Sequence, residues 1–329
     1  MTFWLFLLML TSSLANYRPS ESEICKLDII KLQRQILNLQ NYLLLGEWKL
    51  KVLRENNYLW VKSRIFSFNK NMTKATKLPS TSGNLIVYDE DCTAVYNSRK
   101  TTSGYYRIKP KSIAEPFLVY CDMSDGGGWT VIQRRSSGKV NFNRRWREYK
   151  TGFGLFETKD DEYWLGNDRI HALATNGNCL LKIELQDWNG ESRYAFYDDF
   201  QVKDQKDHYR VWFGAYSGNA GDAFSGGTNV VAQWSASHSG MKFSTPDKDN
   251  DRYHQGSCAK ESSCGWWFNR CHAANLNGKY YVGGNYTGKH DNGVIWSTWH
   301  GYWYSLKYTA MKIRPLSFMD MIGSGDGAN

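Results

Sequence analysis

The residue types best suited to chemistry concentrate between Asp247 and Asp291. Asp247, Asp249 and Asp251 alternate with Lys248 and Asn250. An extended loop would turn these carboxylates to one side, as the hard oxygen donors that Ca²⁺ takes. The loop is not an EF-hand, because its sixth position is Arg252 rather than Gly and its twelfth is Cys258 rather than Glu. Cys258, Cys264, Cys271 and His272 follow at steps that do not match closed zinc spacings. Gly126-Gly127-Gly128-Trp129 lacks the Lys-Ser/Thr of a phosphate loop, and no Gly-x-Ser-x-Gly or His-Glu-x-x-His occurs. His208, His238, His254 and His300 are scattered, the pattern of surface histidines. These residues point to a binding protein, not an enzyme.

The seven cysteines and the N-terminus set the compartment. Residues 1–15 read as a secretory signal peptide, with an apolar run Phe3–Leu10 and small residues at Ser13 and Ala15 before a cut at Asn16. The run is too short to span a bilayer and no later stretch is apolar enough, so no membrane insertion is expected. A secreted, extracellular protein is expected, with disulfides available to Cys25, Cys92, Cys121, Cys179, Cys258, Cys264 and Cys271. Asn71-Met72-Thr73 and Asn285-Tyr286-Thr287 are glycosylation triplets, consistent with export. Residues 16–80 hold 12 Lys/Arg against 5 Asp/Glu, so the basic excess of +9 belongs mainly to the N-terminal segment. A solvated stalk accounts for it, and export argues against a nucleic-acid partner.

These groups need elements to position them. Residues 16–61 carry a heptad seam of Ile29, Leu32, Ile36, Leu39, Leu43, Gly46, Leu50, Leu53, Asn57 and Trp60, which predicts a coiled-coil oligomerisation segment. Cys25 falls on a d position of this register, where two copies could form an interchain disulfide. Residues 62–84 are polar, basic and end in Pro79-Ser80-Thr81-Ser82-Gly83, a linker. Beyond it, strand-like runs at Phe117–Tyr120 and Trp129–Gln133 alternate with Gly-rich turns, and a short helical pattern spans Asn143–Tyr149. This mixture predicts an α+β domain over residues 85–315, with residues 316–329 as a flexible tail.

Several motifs in this domain occur in a characteristic order. Asp91-Cys92 and Ser103–Ile108 lead to Val119-Tyr120-Cys121-Asp122-Met123 and then to Gly126–Arg135. Gly265–His272, Leu276-Asn277-Gly278 and Trp303–Lys307 follow. In this order and spacing the chain resembles the fibrinogen C-terminal domain family. The resemblance implies a central antiparallel sheet and a loop-rich calcium-binding lobe, with disulfides Cys92–Cys121 and Cys258–Cys271. Cys179 and Cys264 have no counterpart in that scheme, whether bonded to each other or free. The ion site it implies is built from Asp249, Asp251, the carbonyl of Tyr253 and a carbonyl of either Gln255 or Gly256. The last carbonyl stays open because the stretch from Asp247 to Cys258 is one residue longer than the family spacing. Beside the ion site, the family's ligand pocket maps onto Glu261, Ser262, Arg270, His272 and Asp291, with the Arg270–Cys271 bond cis. Glu261 and Ser262 depart from the fibrinogen gamma-chain pattern, which weighs against binding of fibrin knobs.

A secreted oligomeric ligand for a cell-surface receptor, of growth-factor or immune-inhibitory type, is what the resemblance implies. A calcium-dependent lectin for N-acetylated glycans and a matrix- or clot-associated protein are the alternatives. The density of Trp is expected to serve packing more than contact, with Trp266, Trp267, Trp296, Trp299 and Trp303 supporting the lobe.

Overall fold

The computed structural model describes residues 87–175, 179–227 and 234–318. The signal peptide, coiled coil, Cys25, linker and Asn71 lie outside these residues. Everything described belongs to the compact unit Leu85–Asn329.

The chain enters through helix α1 (Cys92–Asn97), whose start is fixed by the Asp91 carboxylate accepting the Ala94 N–H at 2.8 Å. Strands β1 (Gly104–Ile108) and β2 (Phe117–Asp122) form an antiparallel pair, and the Cys92–Cys121 disulfide ties α1 to β2. β3 (Trp129–Arg135) is buried along its whole length. After it come helix α2 (Trp146–Thr151), strands β4 (Phe153–Gly154) and β5 (Tyr163–Trp164), and helix α3 (Asn167–Ala174). β6 (Cys179–Gln186) and β7 (Ser192–Val202) alternate buried and less buried residues, as strands with one face on a core do. Asp199 takes a left-handed φ of 47° where the β6–β7 register slips. β8 (Val211–Trp212) and β9 (Tyr216–Gly218) pair with β7.

The final strand, β12 (Tyr308–Pro315), inserts between β3 and β6. The main path of the sheet is therefore β1-β2-β3-β12-β6-β7-β8, antiparallel at every step. The last strand made is the central one. One face of the sheet carries an apolar core that includes Val131, Leu181, Ile183 and Met311. Charged side chains also crowd this sheet. Lys312 bridges Asp122 and Glu184, Lys182 bridges Asp125 and Glu184, and Arg134 and Arg314 stack on Tyr120 and Trp129. Beyond β12, Phe318 is buried edge-on against Tyr96.

The C-terminal lobe is mostly loop. It holds helix α4 (Cys258–Ser262), the two-stranded sheet of β10 (Ala274–Asn275) and β11 (Ile295–Trp296), and helix α5 (Ser297–His300). Trp164, Trp266, Trp267 and Phe243 interlock at centroid distances between 5.2 and 6.5 Å. Aromatic surface thus does the work that regular strands do elsewhere. Trp296 is buried with them, Trp299 packs partly against the core, and Trp303 is largely exposed.

Candidate functional site

The acidic loop is held from several directions. Asp247 is committed to structure, since its Oδ1 accepts the Trp146 N–H at 2.8 Å and the Thr245 hydroxyl at 2.8 Å. It thereby joins the loop to the start of α2. Asp251 accepts the Tyr253 N–H on one oxygen and the Cys258 N–H on the other, both at 2.8 Å. Asp249 is exposed, and its Oδ1 accepts the Asp251 N–H at 3.2 Å. Burial pushes the Asp251 carboxyl up to about 6, and the charge of Asp249 adds to the shift against the two backbone N–H donors. The pair thus carries a surplus of negative charge that a divalent cation would relieve.

The rest of the loop turns back on itself. The Tyr253 carbonyl accepts the Gly256 N–H at 3.1 Å, which leaves it a second lone pair. Gly256 runs so close to the Tyr253 ring that a Cβ would lie 2.5 Å from it. Gln255 is exposed. Among the described residues no three His, Cys, Asp or Glu side chains converge as a metal cluster. A cation here would rest on Asp249, Asp251 and main-chain oxygens, a donor set suited to a hard ion.

The Cys258–Cys271 disulfide clamps this loop to the pocket segment. The Arg270–Cys271 bond is cis. Asn269 fixes the segment by donating its side-chain amide to the carbonyls of Trp234 at 3.1 Å and Ser237 at 2.9 Å, while the Arg270 N–H donates to Ser235 at 2.8 Å. His272 is buried just beyond, near Phe268 and Tyr302 at ring distances of 5.8 and 6.3 Å. Its Nδ1 is buried without a hydrogen-bond partner among the described residues. Burial lowers the imidazole pKa, opposed by the neighbouring Asp291.

The expected pocket residues are not equivalent in the fold. His272 and Asp291 come together. Glu261 is half-buried and pairs with His290 at 3.5 Å, the Arg270 side chain is exposed, and Ser262 is only 3% exposed within α4. Tyr302 was not expected at the site; it arrives through a hydrogen bond from the Tyr286 hydroxyl to the Tyr302 carbonyl, which no local motif announces. His238, read as a surface histidine, is instead fully buried. Its Nε2 accepts the Ala274 N–H at 3.2 Å, so the proton sits on Nδ1, which donates to the Trp267 carbonyl at 2.8 Å. Cys179 and Cys264 are both free and buried, and burial pushes each thiol up to about 12. A separate cavity of about 470 Å³, lined by Arg135, Phe142, Ser263, Asn277 and Tyr280 among others, contains none of the pocket residues.

Fold and site together define a fibrinogen-type globular domain. Residues 88–316 match the family "Fibrinogen beta and gamma chains, C-terminal globular domain", and the chain belongs to that family. Among individual relatives, it is 56% identical to fibrinogen-like protein 1 of Bos taurus over 232 residues, covering 70% of this chain and 74% of that protein. It is also 47% identical to the fibrinogen gamma chain of Petromyzon marinus over 246 residues, covering 72% of this chain and 56% of that one. Of solved structures, the lamprey fibrin D-dimer complexed with the peptide ligand Gly-His-Arg-Pro-amide is similar at a TM-score of 0.67 and 37% identity, covering 94% of this chain and 98% of that chain.

Proposed function

We propose that this protein is a secreted, oligomeric ligand that engages a cell-surface receptor through the His272 pocket, with Ca²⁺ bound by the neighbouring loop. The observation that carries the reading is the pocket itself. A buried imidazole with an unpartnered Nδ1 sits next to Asp291 and near Tyr302, which is open to solvent. Such a group has a hydrogen bond to offer an incoming ligand. A related domain that takes a peptide lends support to a polypeptide ligand. Asp249, Asp251 and the Tyr253 carbonyl would hold the ion, with Gln255 or Gly256 completing the set, and the ion would stiffen the loop beside the pocket. The kinship with fibrinogen-like protein 1 favours a growth-factor or immune-inhibitory ligand over a clot component. A coiled coil bridged at Cys25 would present two domains at once and raise avidity by roughly 10²–10⁴ where both contacts are reachable.

The test is a screen of the full chain against cell-surface ectodomains, repeated with Asp251→Asn and His272→Gln and with EDTA. A hit weakened at least about tenfold by both substitutions is expected, a loss of roughly 1.4 kcal/mol. A hit unaffected by either would move the contact away from this pocket. Retention on immobilised N-acetylglucosamine with calcium, and release by EDTA, would establish the lectin reading instead.

A further inference from the structure

We propose that Asn285 carries an N-linked glycan. The proposal rests on the extracellular reading, since the modification requires export. Asn285-Tyr286-Thr287 is an acceptor triplet, and the fold presents it as one. Gly283 and Gly284 turn the chain with φ of 86° and 91°, and a Cβ on Gly284 would lie 2.5 Å from the Tyr304 ring. Asn285 then enters an antiparallel bridge with Tyr304, and the Tyr286 N–H donates to the Trp303 carbonyl at 3.2 Å.

Alternation along the extended chain sorts the triplet into inner and outer side chains. Tyr286 points inward, stacked on Tyr281 at 4.2 Å, with its hydroxyl donating to the Tyr302 carbonyl at 2.7 Å and accepting the Gly293 N–H at 2.8 Å. Asn285 and Thr287 are exposed, and neither side chain makes a hydrogen bond among the described residues. The acceptor amide is therefore free, on backbone held rigidly from beneath.

The experiment expresses the full chain, carrying Asn71→Gln to leave one triplet, in mammalian secretory cells. The expected result is protein in the medium whose gel mobility shifts on PNGase F treatment, with Asn285 converted to Asp in the released peptide. Thr287→Ala should abolish the shift and Thr287→Ser should retain it. Exported protein without a glycan at Asn285 overturns the proposal while leaving the extracellular reading intact. Protein that never leaves the cytosol overturns both.

Discussion

His238 illustrates how a side chain with no local signature becomes structural. Burial drives its pKa down to about 3, with the Trp267 carbonyl opposing the shift and the nearby His272 adding to it. Protonation would set an Nε2–H against the Ala274 N–H. The folded state therefore refuses a proton that the unfolded chain accepts near pH 6.5, so stability falls as pH drops from about 6.5 toward 3. The slope from this residue reaches about 1.4 kcal/mol per pH unit. Urea midpoints measured between those limits should show it, and His238→Gln should flatten it whatever its cost at neutral pH. An unchanged slope would remove His238 from the acid response. The candidate site was more legible at this scale, because alternating carboxylates and a cysteine before a histidine can be read directly. Tyr302 and the buried state of Ser262 could not, since both follow from distant backbone contacts.

Among the elements, β12 carries the most consequence. Its Lys312 is nearly buried yet bonded to Asp122 and Glu184, strands apart in sequence and adjacent in the sheet. Burial alone would raise the Asp122 carboxyl, but the charge and hydrogen bond of Lys312 overcome it and hold the group down at about 2. A depressed carboxylate stabilises the fold above its unfolded pKa, and that contribution is lost as pH falls from 3.8 toward 2. Lys312→Met should cost about 2 kcal/mol at pH 7, below the figure for fully buried pairs because Glu184 retains some exposure. The deficit should shrink below pH 3.8. A variant as stable as the parent at pH 7 would show that the bridge contributes nothing. The strand segments of β2 and β3 were visible as apolar runs, and α2 was anticipated a turn early. The ionic layer was invisible, because Lys182, Glu184 and Lys312 read in sequence as ordinary solvent-facing residues of alternating strands.

At the scale of the whole molecule, the order of the sheet makes the domain one cooperative unit. β3 and β6 meet only through β12, so removing residues from Tyr308 onward should abolish folding altogether. A truncated chain with native near-ultraviolet dichroism would contradict this. At the opposite end, the proposed interchain bridge at Cys25 predicts a disulfide-linked dimer on non-reducing electrophoresis that Cys25→Ser collapses to monomer. A band unchanged by the substitution would exclude that bridge.

The sequence by itself determined the family and the residues of the acidic loop, and the resemblance to that family implied the two disulfides that the structure holds. The family is written in short motifs whose order and spacing survive without coordinates. Tertiary structure alone decided that Asp247 ties the loop to α2 while Asp251 is left electrostatically frustrated beside Asp249. It also decided that Cys179 and Cys264 stay apart, that His238 is core and that Asn285 faces outward. Those outcomes depend on which backbone donors and aromatic rings long-range folding brings within a few ångströms, and a loop-built lobe has no strand or helix period from which to read them.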